Sequence, residues 1–438
     1  MTARMTAIIS VLNAQGIAIA ADSAATVSSG DIKKVYNKSN KLFTLSKYHP
    51  VGIAIYNNAD FMGIPWEALI KVYREQLGEK KFDTVEKYQT NFLTFLKEQL
   101  AHITPESRNN AFFQLCSGNF GELKQKVIKS IADNEANTNT LDPDAAAIYI
   151  TPMISTAIRE YRDDILALPR NSSMDSSYEQ FVSEYQDLLS EIPKALQVEI
   201  AKKYPNHRLT TEDKVAINEF VLGLTKVAQI FEPHSGLVFM GFGEKEMYPS
   251  NHCVLVGCVI QDSIRYDIQD PIRISPGTAN ANIVPYAQED VTMTVLTGVD
   301  PKYEAEVEKS IRVSFETVST QVAPKLSDQT EAQSISAAIK EIGEKMISEL
   351  YKYRWDAITK PLLDILAFMG KEDMAEMAES LVSITSLRRK FTSNAADESV
   401  GGPVDVAVIT KGDGFVWIKR KHYFSLELNR GFIEKYFN

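Results

Sequence analysis

The beginning of the chain constrains the fold more than any other stretch. Two apolar, partly β-branched runs at positions 7–12 and 17–21 flank the polar connection Asn-Ala-Gln-Gly at 13–16, whose glycine can take positive φ. This pattern predicts a β-hairpin. Its second strand ends at Asp22 and returns that aspartate to the side of Thr6, where the first strand starts. A threonine at a chain terminus can use its own α-amine as general base for its hydroxyl, because that amine titrates near neutral pH.

The spacing of these residues resembles that of a known family. Thr6, Gly16 and the sequence Ala-Ala-Asp-Ser-x-x-Thr at 20–26 resemble the opening of proteasome β-type subunits and of the related bacterial HslV-type peptidases. The spacing from Thr6 to Asp22 needs no gap. Similar segments recur in Lys-Leu-Phe at 41–43, in the apolar run at 51–55 and in residues 397–409. These proteins are N-terminal-nucleophile (Ntn) hydrolases.

The resemblance implies an α+β fold, a four-layer αββα sandwich of the Ntn-hydrolase type with helical insertions. It covers about half of the chain, and a single core rarely grows past about 250–300 residues. We expect the sandwich core to be formed by residues 6–103, 234–300 and 371–438, the last with a final helix and hairpin. Residues 104–233 and 301–370 are then helical insertions.

Local patterns place secondary structure along these segments. Residues 27–40 are polar and predict a loop or a short ribbon. Strands are predicted at 41–45, 50–56, 236–241, 253–260, 264–268, 404–410 and 415–418. Helices are predicted at 66–77 and 83–100, in several pieces between 104 and 231, and at 303–322, 330–368 with a kink or break at Pro361, and 371–391.

The resemblance also implies catalytic roles. Thr6 would be the nucleophile, activated by its own amine directly or through water. A lysine ammonium near that amine lowers the amine's pKa and stabilises negative charge at the nucleophile, while Asp22 holds the lysine in place. Counting without a gap from Asp22 gives Lys38, whereas the Lys-Leu-Phe pattern gives Lys41. Strand alternation favours Lys41, because Leu42 then points to the opposite face.

Further positions match the family's supporting residues. Asn57 occupies the place where the family presents a backbone N–H to the tetrahedral oxyanion, normally from glycine. Asp397 matches the aspartate that orients the terminal threonine, and Ser399 lies beside Val400, which stands where the family has a serine. Asn282 falls near the position of another family serine close to the nucleophile.

Residues 1–5 precede Thr6 and would block its amine. Either they are removed, or translation begins at Met5 and that methionine is cleaved because threonine is small. The second explanation is favoured, since a self-processing precursor in this family usually has glycine where Met5 stands.

Composition restricts the function class. A formal net charge of -10 argues against a nucleic-acid surface, and the basic cluster at 419–422 is expected to be a solvated face or an interface rim. No apolar run approaches the roughly 18 residues of a membrane span. Three cysteines that cannot all pair, with no recognisable signal peptide, favour a cytoplasmic protein. The six histidines lack metal-ligand spacing and no nucleotide-binding glycine motif occurs, so neither metal nor cofactor is expected.

Together these observations predict a cytoplasmic threonine-type Ntn hydrolase. It would cleave an amide bond, foremost a peptide bond in a peptide or protein substrate, and form a homo-oligomer. The alternative is a catalytically inactive proteasome-like scaffold or regulatory subunit, which retention of residues 1–5 would favour. A small-molecule amidohydrolase is a third reading, because the same fold and nucleophile also serve non-peptide amides.

Overall fold

The computed structural model describes residues 7–29, 32–36, 39–170, 177–322, 328–391, 401–422, 424–425 and 427–431. Over these ranges the protein is α+β, as predicted, and its sheets are antiparallel. Thr6, Lys38, Asp397 and Ser399 lie outside the described residues. None of the described helices combines the length and the apolar character that crossing a bilayer requires.

The strands follow the predicted positions closely. In chain order they are β1 (Ile8–Asn13), β2 (Gly16–Ala21), β3 (Ala25–Ser29), β4 (Ile32–Tyr36), β5 (Leu42–Thr44), β6 (Val51–Asn57), β7 (Asp60–Phe61), β8 (Ile64–Pro65), β9 (Ser235–Gly241), β10 (Ser250–Ile260), β11 (Ser263–Ile268), β12 (Ile272–Arg273), β13 (Ala281–Tyr286), β14 (Asp405–Thr410) and β15 (Gly414–Lys419). The ribbon predicted within residues 27–40 is present as the pair β3 and β4.

The helices range from 4 to 29 residues and lie mostly outside the strand-rich segments. They are α1 (Trp66–Leu77), α2 (Val85–Glu98), α3 (Pro105–Asp133), α4 (Glu135–Thr138), α5 (Pro143–Leu166), α6 (Tyr178–Glu184), α7 (Gln186–Ala201), α8 (Thr211–Lys226), α9 (Glu289–Thr297), α10 (Pro301–Val322), α11 (Gln329–Arg354), α12 (Lys360–Leu366) and α13 (Lys371–Lys390).

Two of these helices differ informatively from their predictions. α2 begins at Val85 rather than at 83, because the Thr84 side chain caps it by accepting a hydrogen bond from the Lys87 N–H. The predicted helix 330–368 is divided by a π-helical turn, Trp355–Thr359, directly before Pro361. Proline has no N–H and its ring clashes with the carbonyl four residues back, so the wider turn accommodates it.

The N-terminal hairpin lies at the centre of a five-stranded sheet with the order β13-β1-β2-β14-β15. Its two strands pair from Ile8 opposite Ala21 to Asn13 opposite Gly16, which confirms the predicted hairpin. Every residue of both strands is buried, as expected for continuous apolar runs. A second sheet has the order β11-β10-β9-β6-β5, with β12 paired to β10.

Apolar side chains form one core between the two sheets and one on the outer face of each. The inter-sheet core includes Ile17 and Ile19 from the first sheet and Val238 and Met240 from the second. α1 and α2 pack on the second sheet, while α12 and α13 pack on the first. The hairpin β1–β2 is therefore covered on both faces.

The segment 104–233 has a core of its own. Helices α3 to α8 pack through residues such as Leu115, Ile154 and Phe220, and Cys258 and Ile260 of β10 join the same cluster. This helical segment thus packs against the end of β10 in the second sheet. The segment 301–370 differs, because α10 and α11 form a hairpin in which few described side chains are buried.

Candidate active site

Asp22 is the centre of a buried polar cluster at the end of β2. Its side chain is fully buried and accepts four hydrogen bonds. Oδ1 accepts from the Ala7 N–H at 2.9 Å and from Lys41 Nζ at 2.6 Å. Oδ2 accepts from the N–H groups of Ala24 and Gly401, both at 3.2 Å. Such a carboxylate is held in one position by donors from three parts of the chain.

The hairpin register explains why Asp22 reaches the start of β1. Ile8 is opposite Ala21, and the next residues meet through the Asp22 N–H, which donates to the Ala7 carbonyl at 3.0 Å. Ala7 is the covalent neighbour of Thr6, so the Asp22 carboxylate binds the amide nitrogen of the Thr6–Ala7 peptide bond. Asp22 therefore lies beside the beginning of the first strand, as predicted.

Lys41 meets Asp22, as predicted from the Lys-Leu-Phe pattern. Its side chain is 6% exposed, and its ammonium pairs with a carboxylate that is itself buried. Burial lowers the pKa of Lys41, while the charge and the hydrogen bond of Asp22 oppose that shift. The following residue, Leu42, packs in the inter-sheet core. Lys38 lies outside the described residues.

A second buried ion pair lies close to this one, and the sequence analysis did not predict it. Asp405, at the start of β14, is opposite Ala21 and accepts from both the N–H and the ammonium of Lys421. Lys421 lowers the pKa of Lys41 and Asp405 raises it. Residues 419–422 were expected to be a solvated face or an interface rim, but Lys421 is only 10% exposed and is not solvated. Lys419 is exposed and pairs with Glu379.

Asn57 ends β6 with a φ of 65°, in the left-handed region that favours glycine and that asparagine tolerates. Its Nδ2 donates to His234 Nε2 at 3.1 Å, and His234 Nδ1 lies 3.2 Å from the Glu232 carbonyl oxygen. With the ring proton on Nδ1, the histidine accepts from Asn57 and donates to that carbonyl. His234 was not singled out from the sequence.

The segment that carries His234 is anchored by a buried arginine. Arg265 in β11 is fully buried, and its Nε donates to Glu232 Oε1 at 2.8 Å. Its two terminal nitrogens donate to the carbonyls of Thr225, Val227 and Gln229, in the segment that connects α8 to the second sheet. Arg265 therefore fixes the path that brings His234 to Asn57.

The end of β13 also approaches this region. Tyr286 is opposite Ile8, and its ring lies 5.9 Å from that of Tyr56, the neighbour of Asn57. Ala287 and Gln288 follow with φ of 55° and 49°, and Gln288 Oε1 is buried with no hydrogen-bond partner among the described residues. Strained non-glycine backbone of this kind clusters at functional sites.

The expectation for Asn282 was wrong. This residue is opposite Leu12, at the far end of β1 from Ala7, because β13 runs antiparallel to β1. The residues of this segment that lie at the Ala7 end are Tyr286 and those that follow it. A register error of this size arises because the turn that precedes β13 has no fixed length in sequence.

Asp397 and Ser399 lie outside the described residues, but the chain directly after them contacts the cluster. Gly401 donates its N–H to Asp22 Oδ2, and its carbonyl accepts from the Ser23 N–H at 3.1 Å. The Ser23 hydroxyl donates to the Pro403 carbonyl. Residues 401–403 are thus held to Asp22 and Ser23, at the end of β2, by three hydrogen bonds.

No group of three or more His, Cys, Asp or Glu side chains in the described ranges is arranged to hold a metal ion. The cluster has a buried carboxylate, a buried ammonium and several backbone N–H groups next to the start of β1. These groups can fix and polarise a nucleophile attached at that point. A scan of the sequence against protein-family models finds no matching family, and a search of curated proteins finds no significant match.

Proposed function

We propose that this protein is a threonine-type Ntn hydrolase that cleaves amide bonds, foremost peptide bonds, with Thr6 as nucleophile. One observation carries the proposal: Asp22 binds both the amide nitrogen that follows Thr6 and the ammonium of Lys41. A carboxylate that only capped a strand would not need a buried lysine beside it. The two sheets, with helices on both outer faces, are consistent with a four-layer αββα Ntn sandwich.

In the proposed reaction the Thr6 hydroxyl oxygen attacks the carbonyl carbon of the substrate, and its proton passes to the Thr6 α-amine. The tetrahedral oxyanion forms near the backbone N–H of Asn57. Its collapse breaks the C–N bond, the leaving amine takes the proton, and an ester to Thr6 remains. Water then attacks the ester, releases the acid and returns the proton to the hydroxyl.

Lys41 and Asp22 act on the first of these steps. The Lys41 ammonium disfavours protonation of a nearby amine, which keeps that amine available as a base, and it stabilises negative charge on the threonine oxygen. Asp22 orients the lysine and favours its charged form, which burial opposes. Loss of one preorganised electrostatic group of this kind costs on the order of 100- to 1000-fold in rate.

The test uses protein whose mature chain begins at Thr6, verified by intact mass. A peptide epoxyketone should add one equivalent, because it forms bonds with both the hydroxyl and the free amine of a terminal threonine. Thr6→Ala should abolish both this addition and the hydrolysis of fluorogenic peptides, and circular dichroism should be unchanged. Hydrolysis that survives Thr6→Ala would refute the proposed nucleophile.

The two rival readings make different predictions for the same samples. An inactive scaffold would retain residues 1–5 in native material and would show neither labelling nor hydrolysis. A small-molecule amidohydrolase would be labelled and would cleave simple amides, but not peptides. The proposal also places the enzyme in the cytosol, where its buried, unpaired cysteines would stay reduced.

We further propose that the protein forms homo-oligomers through the α10–α11 hairpin. The two helices expose large apolar side chains, including Tyr303, Val313, Ile342, Met346 and Tyr353. Most helical stability comes from packing of an apolar face, and this hairpin packs few residues on the rest of the described chain. Light scattering that gives a monomer at micromolar concentration would contradict this proposal.

A further inference from the structure

A groove lies in the helical insertion, between α6, α7 and α8, and its lining residues take no part in the Asp22 cluster. Its volume is about 690 Å³. Pockets that bind small molecules typically have about 300–1,000 Å³ and are mostly apolar with a few polar groups that fix orientation. The groove therefore has the size of a ligand site.

One face of α7 forms the long wall. Lining residues recur at helical spacing from Gln186 to Val198, and this stretch is about 18 Å long at 1.5 Å per residue. Leu189, Pro193 and Val198 supply apolar surface on this wall, and Val198 is 61% exposed. These apolar positions span about 14 Å at 1.5 Å per residue, and an elongated wall of this kind suits a linear apolar chain better than a compact ring.

The charges are concentrated towards one end. Lys194 lies on α7, Arg208 precedes α8, and Lys214 is in the first turn of α8. The loop with Arg208 is bound to the C-terminal half of α7, because Gln197 accepts from the Leu209 N–H and donates to the His207 carbonyl.

The cations of this end are available to a ligand. No ion pair or side-chain hydrogen bond engages Lys214 within the described part of the chain. Lys194 pairs with Glu191 at 2.7 Å, but both side chains are about two-thirds exposed. Exposed pairs contribute about 0–1 kcal/mol and rearrange easily. Arg208 donates to the carbonyls of Pro205 and His207, which fixes its direction.

The groove is positively charged, whereas the whole protein has a net negative charge. Three cations line the groove and no described carboxylate does, although the chain carries 57 acidic and 47 basic residues. We propose that the groove binds a linear anionic amphiphile in monomeric form, with the apolar chain along α7 and the carboxylate at Lys194, Arg208 and Lys214. Dodecanoate is a probe of this class.

The test is calorimetric titration of the full-length protein with dodecanoate below its micelle concentration. We expect one site. A neutral dodecyl maltoside should bind about tenfold more weakly, and cationic dodecyltrimethylammonium more weakly still, because charge complementarity orients the ligand. Val198→Asp should also weaken dodecanoate binding, since it places a like charge on the apolar wall.

The chain offers a matched control for the lysines. Lys194 and Lys202 are both about two-thirds exposed, and each pairs with a glutamate three residues earlier on α7. Lys194→Gln combined with Lys214→Gln should weaken dodecanoate binding about tenfold. Lys202→Gln should leave it unchanged, because Lys202 does not line the groove.

No binding, equal binding of all three head groups, or equal losses in the groove and control variants would each overturn the inference. Binding that is confined to anionic phospholipid vesicles or to an acidic amphipathic peptide would also overturn it, because those are different ligand classes. The outcome is independent of Thr6 chemistry, so failure here leaves the proposed hydrolase untouched.

Discussion

Asp22→Asn tests whether the buried charge pair organises the site. The substitution keeps the side-chain shape but leaves the Lys41 ammonium buried, and Asp22 is its only ion-pair partner among the described residues. It also turns an amide N–H₂ or a weaker oxygen towards backbone donors that now bind a carboxylate. Breaking a buried pair from one side typically costs about 3–5 kcal/mol. We expect a loss of unfolding free energy in that range.

The opposite truncation should be milder. Lys41→Met leaves the Asp22 carboxylate buried, yet that carboxylate keeps the N–H donors of Ala7, Ala24 and Gly401. Hydrogen bonds to a charged group contribute about 1.5–3 kcal/mol each, so the remaining charge is partly compensated. We therefore expect Lys41→Met to cost about 2 kcal/mol less than the loss of the aspartate charge.

Chemical unfolding of both single variants and the double variant gives the coupling energy directly. The double variant should be no less stable than Asp22→Asn alone, because it leaves no unpaired ammonium. Glu379→Gln is the control: it breaks the exposed Lys419 pair and should change the unfolding free energy by about 0–1 kcal/mol. The reasoning would be refuted if the two single variants changed the free energy of unfolding additively, or if Lys41→Met lowered it more than Asp22→Asn does.

Three more outcomes follow from the site. Because burial lowers the pKa of Lys41, the rate of peptide hydrolysis should fall at an alkaline pH below the ordinary lysine range. The folded state loses the Lys41 proton at a lower pH than the unfolded state, so the free energy of unfolding should rise with pH between the two pKa values. Lys41→Met should remove both pH dependences. Asn57→Gly should keep kcat within a few-fold, whereas Asn57→Val should lose activity, because a β-branched residue disfavours φ of 65°; equal activities would show that this conformation is not needed. Gln288→Gly should raise the unfolding free energy by about 1 kcal/mol, because glycine adopts φ of 49° without strain and removes an unpaired acceptor; a loss of stability would mean that the amide is paired.

Much of the local structure could be predicted because its determinants are neighbours in sequence. The hairpin β1–β2 needs only two apolar runs and a turn with glycine, and α1 needs only its apolar periodicity. Helix ends were less certain, since Thr84 caps α2 where Asp83 had been expected to begin it. The π-helical turn before Pro361 was anticipated only as a kink or break.

Members of the Asp22 cluster were predicted only where a single hairpin or a single short sequence pattern indicated them. The position of Asp22 follows from the hairpin spacing, and Lys41 was chosen over Lys38 from the resemblance of Lys-Leu-Phe at 41–43 to a family strand. Asp405 with Lys421 gave no signal, because a lysine in a basic cluster is normally solvated. His234 was not predicted because an isolated histidine has no sequence pattern, and its contact with Asn57 joins residues 177 positions apart.

The sequence by itself determined the hairpin, the outer helices and the placement of Asp22 at the start of β1, because hydrogen bonding and side-chain alternation within a few residues are sufficient for each. The tertiary structure decided which groups surround that aspartate. Gly401 reaches it across 379 residues only after β14 pairs with β2, and Lys41 loses solvent only when the two sheets close on the core between them. Burial of this kind is a property of the assembled sheets, and it sets the pKa of Lys41 and the strength of its ion pair.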